Sequence, residues 1–227
     1  VRRRRGRGFA RPGQCVETTR DSIVPDQAKA IVAYNVHTSQ ATGTSVSHIT
    51  TCASPIPLPM LRDSPLSSSE FERVWNDKGT LMCAVRKTYG GIALSTHKLC
   101  PQGDEAAQAL LWGLRKGTIF EVAVKAARDR ATMYNLFRRS QRRTELPEID
   151  VEQWLHDRVM SLGMEDGQDL ALLSESDFIL PWPETFSETA RSRMSRLFPL
   201  VVDVGDAAYR CVYDTARRIV TLEITRG

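Results

Sequence analysis

Residues 81–96 have the sequence LMCAVRKTYGGIALST, and this stretch decides the fold class of the first half of the chain. Two runs of strand-forming residues flank Gly90-Gly91. Glycine adopts the positive φ that a tight turn between antiparallel strands requires. The stretch therefore predicts a β-hairpin.

Two more strands are predicted upstream of this hairpin. Residues 30–36 are rich in β-branched side chains, residues 45–50 alternate between apolar and polar, and residues 39–43 supply the turn between them. Residues 54–65 contain four prolines, a spacing that predicts neither a helix nor a central strand. Residues 67–75 fit a short helix.

The second half is predicted to be helical. One helix opens at Gly103-Asp104 and ends at Gly117, and the capping-box spacing of Thr118 and Glu121 predicts that another begins at once. Asp150 and Gln153 predict the start of a third helix, which Gly163 ends. Predictions for the remaining segments are a short helical stretch at 169–173 and a last helix opened by Thr185 and Glu188.

The chain returns to β structure at its end. Three short runs at 201–204, 209–213 and 219–224 are separated by turn residues, which predicts a small antiparallel meander. The order of the elements therefore predicts an α+β protein.

Length and composition are ordinary for a globular protein of 227 residues, of which 41% are hydrophobic. No apolar run approaches the roughly 20 residues of a membrane-spanning helix, so no membrane partner is expected. The five scattered cysteines predict reduced thiols in a cytoplasmic protein. The chain does not begin with Met, which we interpret as a fragment of a longer protein.

Positive charge is concentrated in two blocks. Residues 1–20 carry seven arginines and one acidic residue, and residues 115–143 carry nine Lys or Arg and two acidic residues. Clustered guanidinium groups suit phosphate, because each can donate two hydrogen bonds to one anion. A polyanion is the favoured partner, and solvated surface charge is the alternative for either block.

Catalytic and metal-binding motifs are absent from the sequence. It contains no GxxxxGK[ST], GxSxG, HExxH or GxGxxG pattern, and its histidines and cysteines lack zinc-ligand spacing. The acidic pairs at 148–150 and 165–166 fit loops or helix caps. No catalytic residue, metal or cofactor is therefore predicted for this chain.

Residues 71–117 resemble a known family. Their order is the segment ERVW, a DKG turn, the strand pair around KTYGGIAL, and a helix ending LLWGLRKG. This order resembles the region downstream of the motor in bacterial DEAH-type ATP-dependent RNA helicases of the HrpB kind. Residues 129–139, DRATMYNLFRR, are similar to an arginine-rich helix of that family.

The resemblance implies a three-part fold and a non-catalytic role. The parts are an OB-like antiparallel β barrel at 1–100, a helical segment at 101–197 and a β meander at 198–227. ATP and Mg²⁺ would belong to motor domains elsewhere in the same polypeptide, so the parent protein would be the helicase and hydrolase. This region would bind single-stranded RNA, or DNA, weakly and without reading its sequence.

Basic and aromatic residues in both charge blocks and in the hairpin are the candidate contacts, since charge and stacking together hold a single strand. They are Arg2, Arg3, Arg4, Arg5, Arg7, Arg86, Lys87, Tyr89, Arg138, Arg139, Arg142 and Arg143. The alternative function is a structural or protein-interaction module, whose arginines pair with acidic protein surfaces and which is indifferent to RNA.

Overall fold

The computed structural model describes residues 8–11, 14–19, 22–25, 27–40, 46–141 and 146–226. The chain divides into two compact units, which we call the β unit (Val1–Arg73 with Ala84–Leu99) and the helical unit (Val74–Cys83 with Cys100–Gly227). The three-part division at residues 100 and 197 stays a prediction.

The predicted strands of the β unit are present. Its four-stranded sheet has the order β1-β2-β4-β3, in which β2 and β4 run parallel and the other neighbours run antiparallel. The strands are β1 (Gly8–Arg11), β2 (Gln14–Thr18), β3 (Ile31–Gln40) and β4 (Val46–Pro55). The turn predicted at 39–43 lies partly outside the described residues.

The hairpin predicted at 81–96 is confirmed. A second sheet has the order β5-β6-β7, and Gly90 and Gly91 turn the chain between β6 and β7 with φ of 59° and 79°. Its strands are β5 (Ser68–Asp77), β6 (Thr80–Tyr89) and β7 (Ile92–Leu99).

Two predictions for residues 54–75 are wrong. The segment predicted as a helix at 67–75 is strand β5, because Lys78 and Gly79 take φ of 53° and 91° and turn it back beside β6. The proline-rich segment contains a short helix, α1 (Leu58–Arg62). Its prolines lie at the N-cap and in the first turn, where no backbone N–H is needed within the helix.

The OB-like barrel is not confirmed. Among the described residues, the strands form three separate sheets, and none of them closes on itself. The structure shows a mixed α+β fold, with β structure first, helices in the middle and β structure last.

The helices predicted for the helical unit are present, and most of their predicted ends are confirmed. Gly117 ends α2 with φ of 68°, and the Asp150 side chain caps α4 by accepting hydrogen bonds from the backbone N–H groups of Glu152 and Gln153 at 3.0 and 3.1 Å. The helices are α2 (Asp104–Lys116), α3 (Glu121–Ser140), α4 (Val151–Leu162), α5 (Glu188–Leu197) and two 3-10 helices, Gly167–Leu172 and Glu175–Phe178.

The capping box predicted for α3 is wrong. The Thr118 hydroxyl donates to the Gly113 carbonyl at 3.4 Å, and Phe120 precedes the helix with a φ of 46°. The backbone N–H of Ala123 instead donates to the Glu175 carboxylate at 2.7 Å. A distant acidic side chain thus satisfies the positive end of α3. The last helix begins at Glu188 with Ser187 as its cap, two residues later than predicted.

The C-terminal meander is confirmed. Its order is β10-β9-β8, with β8 (Val201–Val204), β9 (Ala207–Asp214) and β10 (Ile219–Arg226). A side-chain pair ties it to α3, because Arg210 donates to both oxygens of Asp129 at 2.8 and 2.6 Å. None of the described helices is long and apolar enough to cross a membrane.

Gly113 allows α2 to pack closely within the helical unit. A Cβ at this position would lie 2.7 Å from Cγ1 of Ile119 and 3.2 Å from Cγ1 of Val74, and both neighbours are themselves buried. Close packing leaves little room for the neighbours to move apart. Glycine is therefore required here for space.

We predict that Gly113→Ala lowers the free energy of unfolding by about 1–3 kcal/mol, the usual cost of overpacking. In an open helix the same change stabilises by about 1 kcal/mol, so the sign is diagnostic. Urea unfolding measures the change. Gln108→Ala, on the exposed side of α2, is the control and should be close to neutral. A Gly113→Ala variant at least as stable as the original chain contradicts the packing argument.

Candidate nucleic-acid interface

Seven of the twelve candidate residues lie outside the described residues. They are Arg2, Arg3, Arg4, Arg5, Arg7, Arg142 and Arg143. The other five are described: three lie on β6 in the β unit, and Arg138 and Arg139 lie on α3 in the helical unit.

The three candidates on β6 do not share one face of the strand. Arg86 points to the side opposite Lys87 and Tyr89, because successive side chains of a strand alternate. The Arg86 guanidinium lies 3.8 Å from the Glu72 carboxylate on β5, which also accepts a hydrogen bond from Thr96 at 3.2 Å. Arg86 thus already has an acidic neighbour.

The other two residues of β6 are engaged with the β unit itself. The Lys87 ammonium donates to the backbone carbonyl of Arg62 at 3.4 Å, and Tyr89 lines an apolar cavity. The three side chains therefore do not form one stacking and charge-bearing surface.

Arg138 and Arg139 lie side by side in the last turn of α3. Both donate to the Glu148 carboxylate, at 3.4 and 2.7 Å, and Arg138 also donates to the Leu146 carbonyl at 2.6 Å. One carboxylate thus offsets one of the two positive charges. Arg139 keeps half of its side chain exposed and is the more accessible of the pair.

The helical unit brings together a different set of residues, which we call the Trp182 site: Arg130, Trp182 and Arg191. The Arg130 guanidinium lies 4.8 Å from the centre of the Trp182 ring, and the Arg191 guanidinium lies 5.9 Å from it. Both distances are within the range of cation–π attraction. Residues from α3, from the 180–183 segment and from α5 therefore converge on one indole.

An aromatic cluster supports the indole. The Phe186 ring is 5.5 Å from the Trp182 ring and makes edge-on contacts with Tyr134 and Phe137 at 5.0 and 5.7 Å between ring centres. Tyr134, Phe137 and Phe186 are almost fully buried, whereas Trp182 is half-buried. The indole is thus fixed at the edge of a close-packed core.

Backbone carbonyls orient the two guanidinium groups. Nη1 of Arg130 donates to the Leu180 carbonyl, and Nε of Arg191 donates to the Phe186 carbonyl at 3.1 Å. A guanidinium carries five N–H donors, so each arginine keeps donors beyond these bonds. Their positions are set without any carboxylate.

The two positive charges of the Trp182 site have no acidic partner among the described residues. Neither Arg130 nor Arg191 has an ion pair with a described residue, whereas the other arginines of α3 each have an acidic partner. Burial, and secondarily the positive charge of Arg191, lowers the pKa of the Arg130 guanidinium. It still carries its charge at neutral pH. The two cations therefore repel each other, and an anion between them relieves that repulsion.

The sequence contains signals for this site, although they are weak. Arg130 belongs to the basic block at 115–143, Arg191 to the last helix, and Trp182 to a rigid Pro-Trp-Pro segment. Nothing in their spacing places them together, because the packing of Phe186 is what joins the three segments. Among the described residues, no cluster of three His, Cys, Asp or Glu side chains could hold a metal ion.

Comparison of the chain with protein-family models, with curated proteins and with solved structures finds no match. The two guanidinium groups that lie against the Trp182 indole suit a phosphate or polyphosphate group, which accepts hydrogen bonds from guanidinium edges.

We predict that tripolyphosphate raises the Tm of the protein in a concentration-dependent way, since a ligand of the folded state stabilises it by mass action. In a chain of this size, 1 kcal/mol corresponds to about 2–4 °C. Differential scanning fluorimetry measures the shift.

The double variant Arg130→Gln with Arg191→Gln should lose this shift. The double variant Arg193→Gln with Arg196→Gln is the control, since it removes the same two charges from exposed positions of α5, outside the Trp182 site, and should keep the shift. An equal shift in all three proteins contradicts an anion site at Trp182.

Proposed function

We propose that this chain binds single-stranded nucleic acid weakly and without sequence preference, through the phosphate backbone at the Trp182 site. The observation that carries the proposal is the pair of guanidinium groups held on one indole with no carboxylate partner among the described residues. Guanidinium donors directed at phosphate supply affinity and do not read bases.

Arg138 and Arg139 extend this surface along the same helix. Arg130 and Arg138 are eight residues apart on α3, about 12 Å along the helix at 1.5 Å per residue. Two or three successive phosphates of an extended strand fit that distance. Glu148 reduces the contribution of the arginine pair at the end of α3 but leaves it net positive.

The biological setting that we propose is the accessory region of an ATP-dependent RNA helicase. It rests on the resemblance of residues 71–117 and 129–139 to the region downstream of the motor in helicases of the HrpB kind. ATP, Mg²⁺ and catalysis belong in this proposal to motor domains of the same polypeptide, RNA is the preferred strand, and the location is the cytoplasm. An OB-like arrangement of the β unit is part of the same proposal.

The physics of the Trp182 site differs from that of an aromatic stacking platform. Arginine side chains and Phe186 already pack around the indole, so its role is to hold the cations rather than to stack a base. Affinity should therefore depend on salt more than on base identity, because counterions leave the phosphates that the arginines neutralise.

The test is fluorescence anisotropy with a labelled single-stranded oligoribonucleotide, titrated between about 50 and 200 mM salt. We predict a linear fall of log K with log salt for the original chain. The Arg130→Gln, Arg191→Gln double variant should bind about tenfold more weakly at low salt, a loss of about 1.4 kcal/mol. Its salt slope should be shallower by about 0.7 for each phosphate that the variant no longer neutralises.

The Arg193→Gln, Arg196→Gln double variant again serves as the matched control and should change affinity little. Equal losses in the control and in the double variant would mean that diffuse charge, and not the Trp182 site, binds the strand. Absence of binding even at low salt would reject the proposed function.

The second candidate function is docking to a partner protein through an apolar surface. The observation that favours it is the apolar side-chain column on the edge strand β10, where Val220, Leu222 and Ile224 are 53%, 48% and 71% exposed. These three residues pair with Tyr213, Cys211 and Tyr209 of β9, whose side chains lie on the same face of the sheet. The apolar column is therefore next to the buried part of that face, where Cys211 is 5% exposed. Indifference to oligoribonucleotides, together with loss of partner binding in Leu222→Asp, would favour this function over nucleic-acid binding.

A further inference from the structure

The β unit contains an apolar cavity of about 530 Å³ that is separate from the residues of the Trp182 site. One side of it is formed by residues of the four-stranded sheet, including Phe9 and Val36. The β6–β7 hairpin contributes Tyr89, Ile92 and Leu94. Ligand sites are typically concave, mostly apolar and of about 300–1,000 Å³, so this cavity has the size and lining of one.

The cavity is elongated in the direction across the sheet. Residues of both edge strands, β1 and β3, line it, and these strands lie three interstrand spacings apart, about 14 Å. A linear ligand suits such a shape better than a compact one does.

Several aliphatic side chains at this cavity remain accessible. Val32 and Val36 on β3 are 40% and 42% exposed, and Ile92 on β7 is 51% exposed. An apolar chain lying against them would remove this surface from water, which is favourable in proportion to the area covered.

Lys29 supplies the polar group. Among the described residues that line the cavity, Lys29 alone carries a formal charge, and it has no hydrogen bond or ion pair with any described residue. A neighbouring cavity of about 500 Å³ shares Lys29, Ile56 and Leu58 with it. Lys29 therefore lies where the two cavities meet, at the exposed end of the apolar space rather than deep inside it.

We propose that this cavity binds a linear alkyl carboxylate, a medium- or long-chain fatty acid, with its carboxylate beside Lys29 and its chain running from β3 across the sheet toward β1, against the β6–β7 hairpin. The ligand class follows from the combination of an elongated, mostly aliphatic lining with one cation among the described lining residues, at one end. An alkylammonium would meet like charge, and an alcohol would gain no ion pair.

Isothermal titration calorimetry with decanoate, decylammonium and 1-decanol tests the proposal. We expect decanoate to bind with one site per chain, about fivefold or more tightly than 1-decanol, and decylammonium to bind most weakly. Lys29→Glu should reverse the order of the two charged ligands. Lys98→Gln, a neutralised exposed lysine on β7 that does not line the cavity, should leave the order unchanged.

A variant that fills the cavity distinguishes this site from nonspecific adsorption. Val36→Phe should lower decanoate affinity about tenfold or more, while Val122→Phe, at an exposed position of α3 in the helical unit, should not. Circular dichroism and the Tm of each unliganded variant establish that it is folded.

Three outcomes would overturn the assignment. These are no heat of binding for decanoate, equal affinity for decanoate and 1-decanol with no effect of Lys29→Glu, or equal losses in the two phenylalanine variants. None of them bears on RNA binding at the Trp182 site, so the two proposals stand or fall separately.

Discussion

The burial of Phe186 is the constraint on which the candidate interface depends. Its ring is 1% exposed and contacts Tyr134 and Phe137 of α3 edge-on, so it fixes the segment before α5 against that helix. Aromatic pairs in this geometry are worth about 0.5–1.5 kcal/mol each beyond the area that they bury. Because Trp182 packs on Phe186, the indole lies close to arginines from two helices.

Acidic partners, more than the number of arginines, determine where positive charge remains available. Glu152 pairs with Arg115 and Arg128, Glu148 pairs with Arg138 and Arg139, and Asp129 is held by Arg210. Exposed pairs of this kind add little stability, about 0–1 kcal/mol, but they reduce the local potential that a phosphate would experience. Among the described arginines of the basic block at 115–143, all except Arg130 therefore have an acidic partner.

Local signals in the sequence account for much of the fold. The Gly90-Gly91 turn, the Asp150 cap and Gly117 at the end of α2 each affect only residues within a few positions of themselves. Their effects can therefore be predicted from spacing in the sequence. The start of α3 cannot be predicted in this way, because the backbone N–H of Ala123 donates to the carboxylate of Glu175, 52 residues away. The prediction of a helix at strand β5 is wrong because the pairing of β5 with β6, a tertiary contact, overrides its local preference.

The same distinction holds for the candidate site. Clustered arginines predict a polyanion partner, but they do not reveal that Arg86 faces Glu72 or that Arg138 shares Glu148 with its neighbour. Arg130 and Arg191 are 61 positions apart, and only the packing of the segment between them makes them neighbours. Composition thus indicates the class of ligand, while the location of the site requires tertiary structure.

The most direct measurement of the central claim is the coupling free energy between Arg130 and Arg191. It is obtained by urea unfolding of the two single Arg→Gln variants and the double variant at low salt. Because the two cations repel, the double variant should lose more stability than the sum of the single losses, by about 0.5 kcal/mol or more. Saturating oligoribonucleotide should abolish or reverse this coupling. Additive losses with and without the oligonucleotide would contradict an uncompensated cation pair that binds phosphate.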